Sequence, residues 1–69
     1  MRYVILIEKT GNGYGAHVPD LPGCIAAAKT LKETRKLIQE ALELHLEDMR
    51  ATGQRIPKPT TVECDYVEA

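Results

Sequence analysis

The residues of this sequence best equipped for chemistry are two cysteines, Cys24 and Cys64, two histidines, His17 and His45, and the acidic side chains Glu8, Asp20, Glu63 and Asp65. A thiol beside an imidazole can act as nucleophile and base, which makes Cys24 with His17 the first pairing to weigh. Such a pair needs a third group to orient the base, and none is visible in the pattern, so catalysis is not expected there. His17 reads as a surface or interface residue, and His45 as one at the rim of a helix face. Carboxylates converging about 4 Å either side of two ions would make a two-metal nuclease. Glu63 and Asp65 share a strand face, but nothing brings Glu8 or Asp20 to them; solvated strand charges that discourage edge pairing are the simpler reading.

Other motifs point away from cofactors. The cysteines lack CxxC or Cys/His spacing, which argues against zinc and leaves two buried reduced thiols. Gly11, Gly13 and Gly15 imitate a phosphate-binding loop, yet such a loop must open a helix so that its N–H groups and dipole meet the anion. Here the glycines join two strands. No catalytic residue, metal ligand or cofactor is expected.

The elements that position these residues follow from hydrophobic patterning. Tyr3 to Ile7 is a continuous apolar run that suits a strand buried on both faces. Asn12-Gly13 reads as a tight hairpin turn tolerant of positive φ, and Tyr14, Ala16 and Val18 alternate with Gly15 and His17 in a second strand. Pro19-Asp20-Leu21-Pro22-Gly23 interrupts the pattern, because neither proline can donate to a ladder; Cys24 to Ala28 forms a third strand. Thr30 and Glu33 make a capping box, each closing on the other's backbone N–H, and start a helix. At about 100° per residue its core face carries Leu31, Ile38, Leu42, His45, Leu46 and Met49, with Ala41 at the edge. Gly53 stops the helix, Pro57 and Pro59 keep it from resuming, and Val62 to Val67 reads as a last strand.

With 69 residues, 43% hydrophobic and 28% charged, the chain fits one folded domain spanning 1–69. At that size folding buries only about 60% of the unfolded chain's surface. Aromatics contribute 4%, all Tyr, so the core is built from aliphatic side chains and is thin; oligomerisation is the usual remedy. The net charge of -1, without a basic stripe, disfavours direct nucleic-acid binding. The short apolar start fits neither a signal peptide nor a membrane span, so a cytoplasmic protein is expected.

Apolar surface is left over. One helix covers one sheet face, yet strand one presents Val4 and Leu6 on the side opposite Tyr3, Ile5 and Ile7. Leu37 and Leu44, seven apart, point away from the helix core face. These four residues are the expected interface of a homodimer or higher oligomer.

Gly11 to Cys24 with its Pro-Asp-Leu-Pro-Gly-Cys segment, Glu40 to Leu46 on the helix, and Ile56-Pro57-Lys58-Pro59 together resemble the HicB antitoxin family over nearly the whole chain. The resemblance implies an α+β unit of β-β-β-α-β order. In it an antiparallel meander and one long helix form a truncated ribonuclease H-like fold, with the last strand beside strand one. It also implies a protein partner, the HicA toxin, a messenger-RNA-cleaving ribonuclease whose active site the antitoxin occludes. The sequence departs from the family at Ala28-Lys29 ahead of the helix cap, at Glu33-Thr34 in the first turn, and in ending at Ala69 without the DNA-binding segment many members carry. On this reading the partner-facing residues are Tyr14, His17, Pro19, Asp20, Leu21, Pro22 and Cys24. Leu21 and Tyr14 are expected as anchors on a rigid loop and hairpin. A degenerate ribonuclease H-like enzyme using Glu63 and Asp65, or an orphan homo-oligomer, are the alternatives.

Overall fold

The computed structural model describes residues 2–61 and 63. The elements run β1 (Leu6–Lys9), β2 (Tyr14–His17), β3 (Ile25–Ala28) and α1 (Leu31–Ala51). The sheet order is β1-β2-β3, with both pairings antiparallel. The meander and long helix agree with the sequence pattern. Strand one differs in register: its ladder runs from Leu6↔His17 to Lys9↔Tyr14, so it starts later than the apolar run and includes Glu8 and Lys9. Ladder position depends on where β2 begins, and apolar content does not report that. The expected last strand, residues 62–67, lies outside the described residues apart from Glu63.

The hairpin tip also departs from expectation. Thr10 N–H donates to the Gly13 carbonyl at 2.8 Å, and neither Asn12 nor Gly13 has positive φ. What Gly13 supplies is space, because a Cβ there would collide with the carbonyl oxygen of Ala28 on β3. Glycine is required by close approach of two backbones and not by turn handedness.

Thr30 caps α1 as the sequence indicates, its hydroxyl accepting from Glu33 N–H at 3.1 Å. The Thr30 hydroxyl in turn donates to Glu33 Oε1 at 3.1 Å, so the carboxylate closes on the hydroxyl and not on the Thr30 N–H. At the other end Gly53, at φ +74, lets Gln54 N–H reach the Met49 carbonyl and Gly53 N–H reach that of Arg50, which satisfies two orphan carbonyls.

The helix covers one sheet face. Ile7, Ala16 and Ala26 lie side by side across the strands and turn toward it. Ala16, Val18, Leu21, Cys24 and Ile38 form the buried core, with Tyr3, Ile5, Ile7, Ala26, Ala41, Leu42, Leu46 and Met49 packed around it. Burying a side chain such as Ile38 is worth about 1.5–3 kcal/mol. Thr34 is fully buried too, its hydroxyl donating to the Thr30 carbonyl at 2.8 Å, so its polar atom carries no desolvation cost. Leu31, which the helical period assigns to the core face, is instead exposed. It sits in the first turn, beyond the edge of the cluster.

Candidate partner-binding surface

The segment between β2 and β3 is two β-turns in series. Leu21 N–H donates to the Val18 carbonyl and Cys24 N–H to the Leu21 carbonyl, both at 3.1 Å. Each turn has proline, Pro19 or Pro22, at the position whose φ a pyrrolidine ring presets. Gly23, at φ +89, supplies the positive φ that the second turn demands after Pro22. Val18 N–H donating to the Cys24 carbonyl at 3.2 Å closes the base. The backbone is thus held from within, and the two prolines are displayed on a loop that loses little entropy on binding.

Leu21, expected at the partner surface, is a core residue at 1% exposure. The turn pair folds its side chain inward between the two prolines. Cys24, at 2% exposure, is likewise unavailable for contact, and burial pushes its thiol above the ordinary range. It is a free cysteine, as the sequence suggests, and an undissociated thiol is a poor nucleophile.

Asp20 is committed to the chain's own last segment. Its Oδ1 accepts from the Thr60 hydroxyl at 2.7 Å and from the Thr61 hydroxyl at 3.4 Å, while Oδ2 accepts from Thr61 N–H at 3.1 Å. The hydrogen bond from the Thr60 side chain holds its carboxyl below the usual 3.8; desolvation opposes it, and further hydrogen bonds from the Thr61 and Thr60 backbone add to the lowering. A second clasp is the Tyr3 hydroxyl, which donates to the Pro57 carbonyl at 2.6 Å. Residues 57–61 are therefore fastened to Tyr3, just ahead of β1, and to the double turn together. Nothing in the sequence pairs Asp20 with residues forty positions away.

The remaining residues divide between two faces. Leu6, His17 and Ile25 are direct cross-strand neighbours on the helix-free face. They form an apolar row with an imidazole at its centre and the double turn at its end. Val4 and Leu6 are half-buried, whereas Ile25 is 69% exposed. Ile25 is the most exposed large apolar residue of this row, and only its cross-strand pairing with His17 places it there. Tyr14 stands at the other end of β2 and turns toward the helix side, lining a groove with Ile5, Ile7, Lys9, Leu31 and Arg35. One flat patch does not include both Tyr14 and His17. Leu37 and Leu44 are 41% and 69% exposed on a flank of α1. Among the described residues no group of three or more His, Cys, Asp or Glu side chains is arranged to hold a metal ion, and no helix is long and apolar enough to cross a membrane. Asp65 lies outside the described residues.

Comparison with known proteins places this geometry. A family model described as the HicB-like antitoxin of bacterial toxin-antitoxin systems matches residues 3–68. A 14.9 kDa protein of the rep-hol intergenic region of Haemophilus phage HP1 is 41% identical over 63 residues, which are 91% of this chain and 47% of the phage protein. This chain thus spans about half the length of that relative. A UPF0150 protein of Thermoplasma acidophilum is 36% identical, covering 91% of this chain and 93% of its own length. Among solved structures, a chain from a HicA3 and HicB3 toxin-antitoxin complex superposes with a TM-score of 0.75 at 33% identity, covering 87% of this chain and 70% of that one.

Proposed function

We propose a function from one premise: this chain belongs to the HicB-like antitoxin family of bacterial toxin-antitoxin systems. It acts by binding and not by catalysis, seating a HicA-type ribonuclease toxin so that the toxin's active site is covered. The observation that carries this reading is the uncovered sheet face, where His17 stands between Leu6 and Ile25 and leads to the rigid Pro19–Pro22 turns. An apolar row on a preordered scaffold suits protein recognition. The likeness to a chain solved in a complex of HicA3 and HicB3 supports the identity of the partner.

The contacts are made by His17, Pro19 and Pro22, with Leu6 and Ile25 beside them. Asp20 contributes indirectly, by fixing the last segment against the loop. Tyr14 borders the surface from the helix side. The test is affinity for a HicA-type toxin by calorimetry. Replacing His17 with Ala should cost about 2 kcal/mol, roughly a thirtyfold loss. Tyr14→Ala should cost less. Unchanged affinity for His17→Ala, with Ile25→Lys equally silent, would move the interface off this face.

A further inference from the structure

One helix leaves part of the sheet face beneath it bare. α1 packs chiefly on β3 and β2, so the helix-side face of β1 is only half-buried at Ile5 and Ile7. Lys9 follows on that face and stands opposite Tyr14 across the ladder. Leu31, exposed in the first turn of α1, and Arg35 form the facing wall. The result is a trough of about 580 Å³ at the hairpin end, continued by a second hollow of about 310 Å³ toward Ile38 and Gln39; Ile5, Ile7 and Arg35 line both. Small-molecule sites occupy about 300–1,000 Å³. From Ile5 to Lys9 an extended strand spans about 13 Å, which sets the length of what the floor can carry.

Charge decides what the trough would take. No carboxylate lines either hollow, whereas Lys9 and Arg35 do. The positions three and four away from Arg35 on the helix hold Leu31, Lys32, Ile38 and Gln39, none of which can neutralise it. A hollow of nearly equal size, about 560 Å³, lies on the other flank of α1 beside Leu44, and it is edged by Glu47 and Asp48. An apolar molecule would suit either; an anionic one would be drawn to the first and repelled by the second. We propose that the β1 trough is a binding site for a small amphiphilic carboxylate, an acyl chain of medium length laid on Ile5 and Ile7 with its head group toward Lys9 and Arg35. Burial of the chain supplies most of the affinity, and the two cations fix its direction. Tyr14 offers its ring to the chain and its hydroxyl to the carboxylate. The site lies on the helix side of the sheet, away from the His17 row, and stands independently of the toxin reading.

The probe is decanoate, titrated into the full chain and followed by backbone amide NMR shifts, with circular dichroism as the check on folding. The expected result is saturable binding of one decanoate per chain with a Kd at or below about 1 mM, its shifts gathered at residues 5–9, 14 and 31–35. Arg35→Gln and Lys9→Gln, both at exposed positions, should each weaken it about fivefold to tenfold, and the double variant more. Rising salt should weaken it as well. Decanol, which has the same chain and no charge, should bind at least about tenfold more weakly, acetate should not bind measurably, and Leu44→Ala should leave the decanoate affinity unchanged. Shifts on the Leu44 flank instead, decanol equal to decanoate, indifference to both glutamine variants, or a folded parent that binds no decanoate would each overturn the proposal. An apolar peptide carrying one aspartate that displaces decanoate at about tenfold lower concentration would give the trough to a protein segment and overturn it too.

Discussion

Truncating Leu21 separates a core role from a contact role, because the two give different magnitudes in different assays. At 1% exposure its side chain is enclosed by the double turn and the central cluster with Val18, Cys24 and Ile38. Leu21→Ala therefore loses the transfer energy of the removed methyl groups and leaves a cavity, together about 2–5 kcal/mol. A 69-residue domain holds about 3–10 kcal/mol in total, so the variant forfeits roughly a fifth or more of its stability. A loss of about 3 kcal/mol lowers the folded-to-unfolded ratio roughly 150-fold and the Tm by about 12–24 °C. Urea unfolding of parent and variant by circular dichroism, at one fixed protein concentration, reads the difference. A loss below about 1 kcal/mol would refute the core assignment and return Leu21 to the surface.

Two further outcomes follow from the caps and clasps. Thr30→Ala removes the acceptor for Glu33 N–H and should cost about 0.5–2 kcal/mol, read in the same urea assay, whereas Thr30→Asp should restore most of it. Asp20 has a folded-state carboxyl held below 3.8, so its contribution is present above that value and is lost as pH falls through the folded pKa. Thermal melts of the parent should accordingly lose stability relative to Asp20→Asn as pH drops below about 4, and a difference between the two that does not change with pH would count against the clasp.

How much of this was legible in the sequence depended on the range of the signal. Local patterns were readable: the Thr30 cap, the helical stripe through Ile38 and Leu42, the Gly53 stop and the three-strand meander all rest on neighbours within a few positions. The Pro-Asp-Leu-Pro-Gly segment was recognised as rigid, but its side-chain directions were not, because two consecutive turns reverse the chain and send Leu21 inward while the prolines stay outside. Turn chemistry explains Gly13 by handedness, whereas its reason is the Ala28 carbonyl, a contact fifteen residues away in sequence. Asp20 with Thr60 and Thr61, and Tyr3 with Pro57, are long-range pairings that no periodicity encodes. Thr34 is polar, so no hydrophobic period places it in the core, although its hydroxyl is satisfied by the helix's own backbone.

If this chain silences a ribonuclease by covering it, adding the chain must stop RNA cleavage by that enzyme. The most direct measurement is the rate at which a purified HicA-type toxin cleaves messenger RNA as the chain is added. Cleavage should fall in proportion to the chain supplied and be abolished near equimolar amounts, and the chain alone should cleave nothing with Mg²⁺ or Mn²⁺. Undiminished cleavage in the presence of excess folded chain would contradict it, as would metal-dependent cleavage by the chain itself.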